Sequence, residues 1–315
     1  MKPIVTITLN PAVDLTIEVD GLVPGGVNRA EQVQANAGGK GVNVAACAAD
    51  WGGQVTVTGV LGRANDGAFV ELFAMKEIAD RFIRIPGDTR TNIKIADTAS
   101  GETTDLNTPG LVIDANSLKR VTAAALDAVT TGAIVVIGGS LPAGIDPEAL
   151  VSLVATLNGA GAKVVADTSG APLRALLAAE GGSLPFAVKP NRHELEELVG
   201  HPLPNLDALV GAARDIVKSG VRLVVVSCGE EGALFVTDDR TLNARLPVVE
   251  ALSTVGAGDA MVAGIATSLA EDLPLEALAR QAVAFAAAKL ARVGPHLPER
   301  AVVVALAGRA DIARL

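Results

Sequence analysis

Six short runs of aliphatic and β-branched residues, at 4–9, 55–60, 133–137, 163–166, 186–189 and 223–227, constrain this chain more than any other feature. They are largely continuous rather than alternating, the pattern of strands covered on both faces. Ala- and Leu-rich segments with helical spacing lie between them, the clearest at 115–129, 147–158 and 206–218. Strands that alternate with helices build an α/β fold around a mostly parallel sheet. The stretch 259–313 offers no good strand and reads as helices packed on that sheet. Two regions break the rhythm: 15–19 with 29–37, and 91–96 with 102–107, alternate polar and apolar positions around turns such as Ser100-Gly101. They predict a small antiparallel sheet made by two excursions, about 12–36 and 88–110, from a single domain spanning 1–315. A small sheet with one apolar face must cover it, so this one is expected to close over a cleft and to pair with a second copy of the chain.

Half of the 315 residues are hydrophobic and 19% are charged, the opposite of a disordered composition. A formal net charge of −9 argues against nucleic acid and anionic lipid as partners. Aromatic residues make up only 2%, with no Tyr and a single Trp (Trp51), which disfavours recognition by stacking on bases or sugars. Cys47 and Cys228 are too far apart for a disulfide framework and read as small buried hydrophobes, and His193, His201 and His296 have no metal-ligand spacing. The uncharged stretch 128–145 is broken by Gly132, Gly138, Gly139, Pro142 and Gly144, so it does not read as a membrane span. The N-terminus runs straight into a strand-like stretch without a signal-peptide pattern, and a cytoplasmic protein is expected.

Ligands of open parallel sheets bind at the carboxyl ends of the strands. Polar residues collect there in five places: Asn10 and Asp14; Gly138-Gly139-Ser140; Asp167 and Ser169; Lys189-Pro190-Asn191; and Ser227-Cys228-Gly229. Five such termini predict one polar site along one edge of the sheet.

The sharpest segment is Ser253-Thr254-Val255-Gly256-Ala257-Gly258-Asp259-Ala260, just ahead of a helical stretch. Glycines before a helix let backbone N–H groups converge on an anion, and Asp259 could take a proton from a hydroxyl. A plain Asp cap after a glycine turn would leave the same pattern. Met261 stands where a dinucleotide fingerprint needs its third glycine, and Gly41 stands where a Walker loop needs a hydroxyl. In Ala37-Gly38-Gly39-Lys40-Gly41-Val42-Asn43, three glycines around a lysine suit close approach to a polar ligand, with Asn43 able to donate and accept; a tight turn capping a helix is the equal alternative. Asn191 and Glu194, three apart in a first helical turn, could hold Mg²⁺ through waters or form a capping box, the latter favoured by the residues alone. Arg90, between Thr89 and Thr91, could grip a phosphate or remain a solvated cation.

Gly38-Gly39-Lys40-Gly41-x-Asn43, Asn191-x-x-Glu194 and Thr254-Val255-Gly256-Ala257-Gly258-Asp259, in this order over essentially the whole chain, resemble the ribokinase/PfkB sugar kinase family. The resemblance implies a Rossmann-like three-layer α/β/α ribokinase fold with a small β-sheet lid, usually as a homodimer. Thr8-Leu9-Asn10-Pro11-Ala12-x-Asp14, Gly26-Val27-Asn28-Arg29, Thr89-Arg90-x-Asn92-x-Lys94 and Gly101-Glu102-x-Thr104-Asp105-x-Asn107 are similar to the branch that acts on ketose phosphates. That branch implies ATP- and Mg²⁺-dependent phosphorylation of D-fructose 1-phosphate to fructose 1,6-bisphosphate. Tagatose 6-phosphate and fructose 6-phosphate are alternative substrates, and a non-catalytic sugar-phosphate sensor is a remote alternative.

The resemblance also carries roles for single residues. It makes Asp259 the base, and Gly256, Ala257 and Gly258 the hole for the transferring phosphoryl group. It gives the sugar to Asp14, Gly38, Gly39, Lys40 and Asn43, and the existing phosphate to Arg90 with Ser140, while Arg29 reaches the substrate from the lid. It gives ATP to Lys189, Asn191, Ser227, Gly229, Gly232, Ser253, Thr254 and Gly258, with adenine near 285–294, and the metal to Asn191 and Glu194.

Overall fold

The apolar runs form a sheet because each strand buries both faces. The structure is a computed structural model and describes residues 1–246, 256–291 and 294–315. The chain begins with β1 (Ile4–Thr8), β2 (Ala12–Val19), β3 (Gln32–Gly38), α1 (Lys40–Asp50), β4 (Val55–Gly62), α2 (Gly67–Met75), β5 (Ala79–Asp80) and β6 (Ile83–Ile85). It continues through β7 (Thr91–Asp97), β8 (Thr103–Asn107), α3 (Ala115–Ala128), β9 (Ile134–Gly138), α4 (Pro147–Gly159), β10 (Lys163–Asp167), α5 (Gly170–Ala178) and β11 (Ala187–Val188). Then follow α6 (Arg192–Val199), α7 (Leu206–Lys218), β12 (Leu223–Ser227), β13 (Ala233–Val236), β14 (Thr241–Arg245), α8 (Ala257–Ala270), α9 (Leu275–Leu290), α10 (Arg300–Gly308) and β15 (Asp311–Arg314).

The main sheet runs β15-β14-β13-β12-β11-β10-β9-β1-β4-β5, with β6 also on β4. Alternate residues of a strand enter different cores: Ile134 and Val136 pack with α1, α2, α8, α9 and α10, whereas Val135 and Ile137 pack with α3 to α7. The result is the expected α/β/α layering, parallel from β12 to β5. Capping sets several helix starts, with Asp114, Asp146 and Asn205 each accepting from a backbone N–H of the first turn.

Two expectations need correction. Residues 259–313 were expected to hold no strand, yet β15 (Asp311–Arg314) lies antiparallel on β14. Its side chains are mostly exposed, so the backbone ladder holds it and no apolar pattern announces it. The small sheet is mixed rather than antiparallel, in the order β3-β2-β7-β8. β2 and β3 form one hairpin and β7 and β8 another, but β2 pairs with β7 in parallel. Both excursions leave the body on their first strand, so these two strands point the same way. Val33 on β3 and Leu106 on β8 stay exposed, as does Val27 in the β2–β3 connection.

Candidate active site

The chain leaves β1 for β4 on one side and later returns to β9 on the other, so β1 and β9 flank a switch in strand order. A crevice opens at such a point beyond the carboxyl ends. Asn10 and Ser140 meet across it, Asn10 Nδ2 donating to Ser140 Oγ at 3.0 Å.

At the floor of the crevice Gly256 caps α8 with φ 81°, a left-handed conformation that a side chain rarely tolerates. The first N–H groups of a helix have no intrahelical acceptor, so those of 257–259 form a positive end suited to an anion. Asp259 is buried in this turn. Burial first, and the neighbouring Asp167 second, push its carboxyl up to about 6. Asn43 on α1 opposes them, its Nδ2 donating to Asp259 Oδ2 at 2.7 Å, as do Lys40 and Lys189.

Asp167, 1% exposed at the end of β10, organises the cations. Its Oδ2 is 3.2 Å from Lys40 Nζ and its Oδ1 3.4 Å from Lys189 Nζ. Burial alone would lower the pKa of Lys40, but Asp167, Asp259 and Glu194 together raise it above the ordinary value. Lys40 therefore stays charged, and Glu194 lies near enough to act on it. Lys189 borders the glycine turn, since a Cβ on Gly258 would stand 3.7 Å from its Nζ.

A second cluster sits where the small sheet meets the body. Burial raises the pKa of Asp14 on β2, against a hydrogen bond from Asn92 Nδ2 at 3.1 Å and the charges of Arg90 and Lys94. Gly38 is required by this carboxylate, because a Cβ there would fall 2.0 Å from Asp14 Oδ2. Arg90 folds onto the end of β1, its Nε donating to Pro11 O at 3.3 Å and its Nη2 to Asn10 O at 3.1 Å. Lys94 pairs with Asp105 at 2.6 Å. Gly39 caps α1 between the two clusters. Arg29 is exposed on the β2–β3 connection, with no hydrogen bond or ion pair to either cluster among the described residues.

At the far end Asn191 and Glu194 form the capping box of α6. Asn191 Oδ1 accepts from Glu194 N, and Glu194 Oε2 from Asn191 N, both at 2.8 Å. The cap thus engages one of the two carboxylate oxygens of Glu194 and the single side-chain oxygen of Asn191. Among the described residues no three His, Cys, Asp or Glu side chains gather into a metal cluster. A Mg²⁺ that keeps most of its water shell needs only one or two such ligands, and Glu194, whose carboxylate acts on Lys40, fits that demand. Ser227 bridges Asn191 at the end of β12, and Gly229 and Gly232 bound the tight turn into β13. Ser253 and Thr254 lie outside the described residues, as does part of the 285–294 segment.

The structure thus gathers Lys40, Asn43, Lys189, Gly258 and Asp259 around one point, with Asp14, Gly38, Arg90 and Ser140 on the lid side. Asp167 was expected only as one of the polar groups at the strand ends and Asn92 only as part of the Thr89–Lys94 stretch, and neither was given a role. Asp167 stood at a strand end and Asn92 beside Arg90, but neither position reveals that its side chain ties two segments together.

Residues 7–301 match the model of the pfkB family carbohydrate kinases. A 1-phosphofructokinase of Xanthomonas campestris pv. campestris is 51% identical over 287 residues, covering 91% of this chain and 90% of that protein. A 1-phosphofructokinase of Rhodobacter capsulatus is 44% identical, covering 96% and 95%. Phosphofructokinase-2 from Escherichia coli in complex with fructose-6-phosphate superposes with a TM-score of 0.90 at 32% identity, covering 98% and 99%.

Proposed function

This chain belongs to the pfkB family of carbohydrate kinases, and from that premise we propose that it phosphorylates D-fructose 1-phosphate to fructose 1,6-bisphosphate with ATP as donor. The observation that carries the reading is the buried Asp259 carboxyl, held by Asn43 at the open N-terminus of α8. A pKa of about 6 leaves it ionised at neutral pH, yet basic enough to accept a proton. The C6 hydroxyl oxygen bonds to the γ-phosphorus as the bond to the ADP oxygen breaks, and the hydroxyl proton passes to Asp259. Proton transfer is late in a loose transition state, so positioning matters most. The N–H groups of 257–259, with Lys40 and Lys189 alongside, receive the phosphoryl charge.

Asp14, with Gly38, Gly39 and Asn43, holds the sugar, and Arg90 and Ser140 face its existing phosphate, with Arg29 reaching in from the lid. Ser227, Gly229 and Gly232 line the nucleotide. Asn191 and Glu194 would hold Mg²⁺, which when bound offsets the charge of the ATP phosphates. Names at 51% and 44% identity favour a 1-phosphate substrate over the 6-phosphate bound by the structural relative at 32%.

The test is initial-rate ADP release with Mg·ATP against fructose 1-phosphate, fructose 6-phosphate, tagatose 6-phosphate, fructose and ribose. Asp259→Asn should lose roughly 10²–10⁴-fold in turnover. A variant within a few fold of the parent removes Asp259 as base, and preference for a 6-phosphate moves the substrate. We also assign the protein to the cytoplasm, in keeping with the lack of a membrane-crossing helix among the described residues. The exposed Val33 and Leu106 support a homodimer through the lid sheet. Light scattering that gives a monomer mass at assay concentration excludes that dimer.

A further inference from the structure

Two side chains with no part in the chemistry above grip the main chain on either side of Arg90. Asn65 stands in the loop between β4 and α2. Its Oδ1 accepts from Thr89 N at 2.7 Å and its Nδ2 donates to Thr89 O at 2.8 Å. An amide carries an acceptor and a donor on one rigid plane, so it pairs with a main-chain edge as a neighbouring strand would. Thr89 is buried, and its Oγ1 accepts from Gly62 N at 2.9 Å at the end of β4. The two segments approach closely there, since a Cβ on Gly62 would stand 2.3 Å from Thr89 N. Thr108, just beyond β8, treats residue 91 in the same way. Its Oγ1 accepts from Thr91 N at 3.2 Å and donates to Thr91 O at 2.8 Å. Between the two clamps Arg90 O accepts from Val13 N at 2.8 Å. The ladder of β2 with β7 begins only at Thr91, so the fixing of residue 89 falls to groups of the body. With the guanidinium held on Asn10 O and Pro11 O, its reach is set by where the main chain of 89–91 stands.

We infer that Asn65 and Thr108 are positioning residues for the phosphate that the substrate already carries: they fix the 89–91 segment, so that the Arg90 guanidinium is in place before the sugar phosphate arrives. The inference rests on the kinase reading above and on its assignment of Arg90 to that phosphate. A group already in place need not be ordered during binding, so the benefit falls on sugar-phosphate binding rather than on phosphoryl transfer.

The test is steady-state kinetics on single variants and on a double-mutant cycle with Arg90→Ala. Asn65→Ala should raise the KM for fructose 1-phosphate about tenfold and leave kcat and the KM for Mg·ATP within about twofold. Thr108→Val keeps the shape and loses both hydrogen bonds, so it should raise the same KM about threefold, and it decides the matter if Asn65→Ala does not fold. In the Arg90→Ala background either change should alter kcat/KM for fructose 1-phosphate by less than about twofold, because the group they position is gone. Equal losses with and without Arg90, or a matching loss in kcat and in the KM for Mg·ATP, overturn the inference and leave Asn65 and Thr108 as supports of the fold. An Arg90→Ala variant whose own KM is unchanged refutes the assignment of Arg90 to the phosphate, and the inference falls with it. A parent that turns over none of the sugar phosphates refutes the kinase reading instead, and the same cycle is then read by calorimetry in the Kd for fructose 1-phosphate.

Discussion

Replacing Asn43 with alanine removes the 2.7 Å hydrogen bond that Asp259 accepts. That bond favours the ionised carboxylate, so its loss raises the Asp259 pKa and activity falls on the acid side. A hydrogen bond to a charged group contributes about 1.5–3 kcal/mol, which corresponds to roughly one to two pKa units. The carboxyl starts at about 6. The acid limb of kcat/KM should therefore move to between about 7 and 8. For a shift near the middle of that range, the ionised fraction at pH 7 drops from about nine-tenths to about one-quarter. The variant should be about fourfold slower at pH 7, more than tenfold slower at pH 6, and close to its plateau by pH 9. The assay is the coupled ADP-release rate from pH 5.5 to 9.5, at subsaturating sugar phosphate and saturating Mg·ATP. Lost contacts between Asn43 and the sugar would lower the whole profile without moving the limb, so the limb alone reports on Asp259. A limb displaced by less than about 0.3 unit refutes either the bond or the role of Asp259 as the titrating base.

Asp259 also has a signature in stability. Its folded pKa of about 6 stands above the ordinary 3.8, so its contribution is fully present below about 3.8 and is lost as pH rises through 6. The shift of about two units amounts to roughly 3 kcal/mol. Asp259→Asn should thus melt several degrees above the parent at pH 8 with the gap shrinking by pH 4.5, and calorimetry showing the same gap at both values would contradict this. Gly38→Ala places a Cβ against the Asp14 carboxylate and should raise the KM for the sugar phosphate roughly tenfold with little change in melting temperature. An unchanged KM would detach Asp14 from the substrate.

The alternation of apolar runs with helical segments was sufficient for the α/β/α layers, because the burial pattern of a strand is local and survives whatever its neighbours are. Helix caps were equally legible: Asn191 and Glu194 form the capping box that their spacing allows, since every participant lies within four residues. The Gly256–Asp259 turn was recognisable from its glycines and the helix that follows. Pairing was harder. The parallel match of β2 to β7 joins segments whose own patterns say nothing about direction, and β15 offers only Ile312 to the core, too little apolar pattern to announce a strand.

By itself the sequence determined the parallel strands and the helices between them, though not β15, and which polar groups stand at the strand ends. Only the tertiary structure decided what those groups do to one another. Asn43 and Asp259 are 216 residues apart and bond because α1 and α8 pack on the same face of the sheet. Asp167 lies between Lys40 and Lys189 because β10 stands between β9 and β11, with α1 above them. Charge, burial and pKa depend on such distances through space, which separation along the chain does not encode.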